Sequence, residues 1–529
     1  MPYLTLRLRQ RIHAPQSSLK LMINRFQSSS LAWGRPAIVS IVIPIVLGAF
    51  LAGTVAILVE NFEPVWTILV LAGGVVLVGS LIVKDSSVYW LSLFFIALPL
   101  NISKNFVTPA ILSSQLQEMG FPPGAFTLYL QLTDLPLMVL LGSWIARAII
   151  KREALYWPAI SYFPLAYLAW ATLGLLFSSY PSLTIFELIR QCKFFIIYLF
   201  IINNVNTRKL GQIIILLLLA GAFIQEGVTL GKYQFQLEGT VLGDTFGDES
   251  DRLVPTGTVT GEESESRRGE GTFGHSNATA AHLELVLPFA LVLFLTSPRP
   301  KERWLGLFVF LLGVVTVYVT FSRGGMVGLL VAASVCMAVA FARGLVSRTT
   351  IAAILSVGVL LSPIAINKLS SYFAVREEAF NQRVIHWKVG IEMIQLNPVI
   401  GTGLNTSTVV RRQLIRANEL IDDEYQLHNH YLIGLVETGV IGSVMYLCFF
   451  ILVGLEAFRR SRSKDFRVAM ISMAILSAYT AIALHMTIDF LNLDPLHTLL
   501  WIYAGVIVAF RRSDPDPGHK VIAAAPLAV

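Results

Sequence analysis

The feature that most constrains this chain is a succession of uninterrupted apolar blocks, each about twenty residues long, separated by charged or Pro/Gly-containing breaks. At 1.5 Å per residue such a block crosses the roughly 30 Å hydrocarbon core of a bilayer. A water-soluble domain carries about a quarter of its residues charged. Here only 14% of 529 residues are charged and 55% are hydrophobic, with a mean hydropathy of +0.67. The fold class that follows is all-α, a polytopic integral membrane protein of about 14 transmembrane helices. The expected spans are 37–59, 65–83, 87–102, 129–150, 158–177, 182–203, 210–231, 277–296, 304–321, 326–342, 350–366, 431–457, 468–489 and 496–510. This excludes a secreted disulfide scaffold, a cytosolic two-domain enzyme and a disordered chain. Cys192, Cys336 and Cys448 sit in apolar runs without CxxC spacing and read as small core residues.

The net charge of +7 is a topological signal, not a sign of a nucleic-acid partner. Lys and Arg concentrate in both tails and in alternate connections, around 84–86, 147–157, 204–209, 297–303, 343–349 and 458–467. The short intervening loops hold almost none, only Lys104 and, in a tight hairpin, Arg323. By the positive-inside rule the basic connections and both termini are cytoplasmic. The organisation expected is a basic tail (1–35), helices one to seven (36–232), an extracytoplasmic acidic loop (233–276) and helices eight to eleven (277–366). A second extracytoplasmic loop (367–430), helices twelve to fourteen (431–510) and a disordered tail (511–529) follow. The first loop holds nine acidic residues and reads as a flap. The second is partly helical: apolar periodicity through Phe380, Val384, Trp387, Ile391 and Ile394 predicts a cap helix, ended by Asn397-Pro398 and Gly401-Thr402-Gly403.

A charge within hydrocarbon costs roughly 2.5 to 3.5 kcal/mol on insertion scales, so each one needs a reason. Glu187, Arg190 and Lys193 recur every three residues on one helical face, either as a pair that locks packing or as a ligand site. Arg323, in Ser322-Arg323-Gly324-Gly325, lies in a tight outer hairpin where the positive-inside bias disfavours it. His275-Ser276-Asn277 opens span eight, with Arg267 and Arg268 before it and Glu284 two turns further in. Arg383 and His386 lie one turn apart on the cap helix. His428-Asn429-His430-Tyr431 leads into span twelve, which carries Glu437 on the face of His430. His485 and Asp489 close span thirteen and carry less weight. No CxxC, HExxH, GxxxxGK or GxSxG element occurs, and no GxGxxG follows a strand, so neither a metal nor another cofactor is expected. Arginines and a histidine on one side suit a lipid-anchored diphosphate: guanidinium groups hold its oxygens, and imidazole takes a proton from an attacking hydroxyl.

Four stretches carry a resemblance: Arg268 to Asn277 (Arg-Gly-Glu-Gly-Thr-Phe-Gly-His-Ser-Asn), Phe321 to Gly325, Arg383 through Trp387 to Gly403, and His428 to Leu432 followed by Glu437-Thr438-Gly439. Together, over about residues 180 to 445, they resemble the O-antigen ligase and polymerase superfamily of bacterial membrane glycan transferases. That resemblance implies glycan transfer from an undecaprenyl-diphosphate-linked oligosaccharide donor to a hydroxyl of a glycan or lipid acceptor, on the periplasmic face of the inner membrane and without a metal. It implies His428 as base and Arg190, Arg323 and Arg383 as diphosphate binders; His430, Glu437, His275, Asn277 and Glu187 are the further residues expected to line the substrate site. His430 departs from the apolar residue usual after the His-Asn pair, which leaves the choice between the two histidines open. Polymerase and ligase are both open, the long acidic loop leaning towards the former. Polysaccharide chain-length and export proteins are the further partners implied. The alternative is a transporter, either a flippase for lipid-linked glycans or an inorganic-carbon carrier. Transporters place their polar site near the bilayer midplane, whereas these residues gather at the outer boundary.

Overall fold

A computed structural model describes residues 76, 78–80, 82–83, 86–107, 128–205, 210–235, 268–349, 377–418 and 427–513. The chain divides into two units, Met1–Lys84 and Asp85–Val529. In the first, the described residues are helical up to Ile82, with the Val83 amide bonded to the Gly79 carbonyl. The expected spans 37–59 and 350–366, and most of 65–83, lie outside the described residues, as does most of the acidic loop.

The second unit is a helical bundle with one small ribbon. Its described elements begin with α1 (Ser86–Ala97), β1 (Ser103–Val107), β2 (Leu128–Gln131), α2 (Asp134–Lys151), α3 (Tyr162–Gly174), α4 (Pro181–Asn204) and α5 (Leu210–Phe235). There follow α6 (Ser276–Thr296), α7 (Pro300–Val319), α8 (Arg323–Ala342), α9 (Glu377–Leu396), α10 (Ser407–Asn418), α11 (His430–Arg460), α12 (Phe466–His485) and α13 (Asp494–Ser513). Among the described residues seven helical segments are long and apolar enough to cross a membrane: Ala159–Phe177, Ile213–Phe235, Ser276–Thr296, Pro300–Val319, Arg323–Ala342, His430–Arg460 and Phe466–His485. Helices α2, α4 and α13 are not among them. The last two carry charges that the bundle neutralises internally.

The ribbon departs from the all-helical expectation. β1 and β2 pair antiparallel, Lys104 opposite Leu130 and Asn105 opposite Tyr129. The stretch expected to open the fourth span at 129 is therefore strand through Gln131, and helix begins only at Asp134, whose carboxylate accepts from the Gln131 amide at 2.8 Å. A hydropathy window cannot separate an apolar strand from the first turn of an apolar helix.

Helix α6 is the centre of the bundle. Every residue from Ser276 to Val292 is buried, because α5, α7, α8, α12 and α13 all pack against it. A helix apolar all round has no face for solvent, and this one has little even for lipid.

Helix α11 is broken at Gly439, which adopts φ 62° and ψ −173°. The break leaves main-chain groups without helical partners, and the loop after α9 supplies them. Thr402 N donates to Val436 O at 2.9 Å, Gly403 N to Glu437 O at 3.0 Å, and Val440 N to Pro398 O at 2.9 Å. Trp170 Nε1 donates to Thr438 O at 3.0 Å. A Cβ on Gly439 would run into the Val399 carbonyl. The Gly401-Thr402-Gly403 segment, expected only to end a helix, thus enters a membrane-crossing helix. The cap is pinned further by a small apolar core of Val389, Met393, Val410, Leu427, Ile433 and Val436, each such side chain contributing roughly 1.5 to 3 kcal/mol by burial.

Candidate functional site

Two polar clusters form, one where α6, α8 and α11 begin and α12 ends, the other within α4 where β2 and the starts of α2 and α13 meet it. The first is built around His428, which precedes α11 and is held at φ 39°. A side-chain residue in the left-handed region costs on the order of 1 to 3 kcal/mol and persists only where its surroundings hold it. Asn429 supplies part of that hold by capping α11, its side chain accepting from the amides of Tyr431 and Leu432 at 3.0 Å each. The rest comes from Asp489, just beyond α12, whose Oδ1 lies 3.2 Å from His428 Nδ1. Oδ1 also accepts from the Phe490 amide at 2.8 Å, and Oδ2 from the Asn277 side-chain amide.

Asp489 is 3% exposed and the His428 side chain 24%. Burial alone would raise the Asp489 carboxyl. The hydrogen bond from His428 and the charges of His485, His428 and His275 outweigh it and hold the group well below the ordinary carboxylate value. The acid is therefore a carboxylate that fixes the imidazole by Nδ1, which makes Nε2 the acceptor nitrogen of the neutral ring.

Arginines close in around this pair. Arg268 donates from Nη2 to Asn277 Oδ1 at 2.7 Å and from Nε to the Thr320 carbonyl at 2.9 Å, tying the segment before α6 to the α7–α8 hairpin. In that hairpin Ser322 caps α8, accepting from Gly325 N at 3.2 Å, and Arg323 is the first residue of the helix. Arg383, on α9, lies within electrostatic reach of His485. His275 occupies the cap position of α6, and its pKa is lowered by burial despite the nearby Asp489 charge. His386 stands with its ring 6.3 Å from that of His428 and accepts from Arg411 Nη1 at 3.1 Å. Burial, with Arg411 and His428 adding to it, pushes its pKa down to about 4.

The second cluster surrounds Arg190. Its guanidinium meets Glu187 Oε2 at 2.7 Å and Asp494 Oδ1 at 3.2 Å, and donates to Asn492 Oδ1 at 2.7 Å and Tyr129 Oη at 3.1 Å. Lys193 binds Asp494 at 2.7 Å and Asp134 at 3.3 Å. The arginine is 13% exposed. This network latches the ribbon and α2 to α4 and α13, which favours the packing alternative for the Glu187–Arg190 pair. The segment 489–494 joins the clusters, with Asp489 on His428 at one end and Asn492 and Asp494 on Arg190 at the other.

The two histidines of the His-Asn-His stretch diverge. His430 turns away from Asp489 and stacks between Phe490, 6.1 Å away, and His497, 5.4 Å away. Glu437 faces the cap, accepting from the Ser407 hydroxyl at 2.6 Å and the Ser407 amide at 3.2 Å, where it anchors the start of α10. Of the residues expected at the site, His428, His275 and Asn277 thus come together, with Arg323 and Arg383 on adjoining elements. Glu187, Arg190 and Glu437 have structural partners instead. Among the described residues no group of three or more His, Cys, Asp or Glu side chains could hold a metal.

Residues 308–447 match the family model of the O-antigen ligase. The matched segment is about a quarter of the chain; it runs from within α7 through the cap and past the break in α11, and includes Arg323, Arg383, His386 and His428. Such a match supports a glycan-transferring membrane enzyme in general, with a lipid-linked glycan donor and a glycan acceptor. No curated protein matches the chain. Asp489 bonds His428 from outside the matched segment, and Asn277 and Arg268 follow in the same chain of hydrogen bonds. Asp489, which closes the expected span 468–489 and carries less weight in the sequence, lies beyond the end of α12 at His485.

Proposed function

We propose that this protein transfers a glycan from an undecaprenyl-diphosphate-linked donor to an acceptor hydroxyl on the periplasmic face of the bacterial inner membrane. The observation that carries this reading is the His428–Asp489 pair, joined through Asn277 to Arg268, with Arg323 and Arg383 on adjoining elements. The Asp489 carboxylate holds Nδ1–H, so Nε2 takes the proton of the acceptor hydroxyl as its oxygen attacks the anomeric carbon. A carbon–oxygen bond to the acceptor forms and the bond to the diphosphate breaks. The leaving undecaprenyl diphosphate carries the electron pair, and the arginines stabilise its charge. No divalent cation enters this scheme.

The sidedness rests on a charge asymmetry along the same helices. At the end of α8 and α11 remote from His428, Arg459, Arg460 and Arg511 gather on Glu456, and Arg343 bonds the carbonyls of Ser461 and Ser463. Basic ends of this kind mark the cytoplasmic side. The acceptor is a second lipid-linked repeat in a polymerase and lipid A core in a ligase.

Complementation of a deletion strain by wild type, His428→Ala and Arg323→Ala, with surface glycan read on gels and membrane abundance by immunoblot, tests the proposal. Loss of the polymer or of its attachment at normal abundance supports it. Shortened repeats then indicate a polymerase, and glycan retained on lipid a ligase. A normal glycan profile in both variants refutes it.

A further inference from the structure

Behind the His428–Asp489 pair lies a second histidine–carboxylate pair that the reaction above does not use. His485, the last residue of α12, places Nδ1 2.7 Å from Glu284 Oε1 on α6, and Nε2 3.9 Å from Asp489 Oδ2. Both side chains are sealed, at 1% and 0% exposure. An imidazole hydrogen-bonded to one carboxylate at Nδ1 and within ion-pair distance of a second at Nε2 is favoured by both as the cation. A buried carboxylate without a compensating charge is costly, and Glu284 keeps its second oxygen without a hydrogen-bond partner.

Helix α8 is shaped around this pair. A Cβ on Gly324 would strike the His485 ring, and one on Gly328 would strike the Glu284 carboxylate. The glycine that follows Arg323 is therefore required by a close approach as well as by the tightness of the hairpin.

We propose that Glu284 and His485 are positioning residues for the His428 site, a buried pair that sets a positive charge behind Asp489 and so fixes the carboxylate that orients His428. Glu284 of α6 holds His485, His485 steadies Asp489 Oδ2, and Asp489 Oδ1 holds His428 Nδ1. The charged and titratable groups around His485 are Glu284 from α6, Asp489 after α12, Arg383 from α9 and His275 at the cap of α6. Arg323 flanks Gly324 on α8.

The kinetic part of the test rests on the glycan-transfer reading, and the chemical part does not. Full-length protein in lipid nanodiscs is treated with diethylpyrocarbonate at fixed pH, and the modification rate of His428 is read by peptide mass spectrometry. Asp489→Asn frees the ring and sets the upper rate. His485→Gln and Glu284→Gln are each expected to raise the rate at least threefold towards that limit, and Glu284→Asp falls between Glu284→Gln and wild type. His282→Gln is the control, since His282 is buried on the same helix, 2% exposed and without a hydrogen-bond partner. It is expected to leave the rate unchanged. Glu284→Gln preserves shape, so it decides the question should His485→Gln fail to accumulate.

With a labelled lipid-linked donor, His485→Gln and Glu284→Gln lower kcat while leaving KM for the donor within twofold. The inference is overturned if both variants label His428 at the wild-type rate, or if His282→Gln labels it as fast as they do. Should the variants label as expected while wild type transfers no glycan, the pair stands and the proposed function falls.

Discussion

Replacing Asp489 by Asn is the sharpest perturbation of this site, because it removes a charge and leaves the shape. When His428 takes a proton it becomes a cation 3.2 Å from Asp489 Oδ1. At an effective dielectric of about 20 the attraction between unit charges at that separation is about 5 kcal/mol. Partial exposure of His428 reduces it, so a loss of about 3 to 5 kcal/mol in stabilising the imidazolium is the working figure. At about 1.36 kcal/mol per decade this is a fall in kcat of roughly 10²- to 10⁴-fold, the range a positioned general base contributes. The amide adds a mismatch. Oδ1 accepts from Phe490 N and His428, and Oδ2 from Asn277 Nδ2, so an asparagine must turn an NH₂ towards a donor on one side or the other. The assay is the initial rate of transfer from a labelled lipid-linked glycan by full-length protein in nanodiscs, with KM for the donor measured alongside. Activity within threefold of wild type would refute the reasoning that Asp489 holds and charges His428.

Other outcomes follow from the same contacts. Gly439→Ala forces a Cβ against the Val399 carbonyl and into a backbone conformation reserved for glycine; a stability loss of about 3 kcal/mol or more is expected as a lowered Tm of purified protein. Arg190→Ala leaves Glu187 and Asp494 buried with fewer partners; a loss of about 3 to 5 kcal/mol should appear as reduced membrane abundance and Tm, whereas His428→Ala leaves both near wild type. His386 titrates near 4 in the folded protein and near 6.5 when unfolded. The unfolded chain therefore binds the extra proton between those values, and up to about 3 kcal/mol of stability present above pH 6.5 is lost as pH falls towards 4. A Tm series from pH 7.5 to 4.5 checks this, and His386→Gln should flatten it.

The long apolar helices were legible because they follow from local cost. Twenty apolar residues in a row have few stable places outside a bilayer or a large core, and a basic connection resists translocation whatever the helices pack against. His428, Asn277, Arg323 and Arg383 could be singled out for the same reason, as polar groups placed where lipid or topology disfavours them. Arg190 meets that criterion too, and its neighbours are Glu187 and Asp494: a charge in an apolar span demands a partner, but its sequence does not say which one. Gly439 looked like one small residue among several in span twelve, and nothing near it announces that Pro398 and Gly403 will enter the helix at that point.

The sequence by itself determined a chain of membrane-crossing helices, the asymmetry of their charged ends, and the short segments that carry histidine and arginine. Those properties depend on residues within a turn or two of one another and on the free energy of desolvating them. Only the tertiary structure decided that His428 is held by Asp489, that Glu284 and His485 stand behind them, and that Arg190 belongs to a latch with Asp494. These partners lie 61, 201 and 304 positions apart, as do His428 and Asp489, Glu284 and His485, and Arg190 and Asp494 respectively. Which of them meet is set by how each helix is rotated and shifted against its neighbours. That choice is made by the packing of the whole bundle around α6, and no stretch of sequence holds it alone.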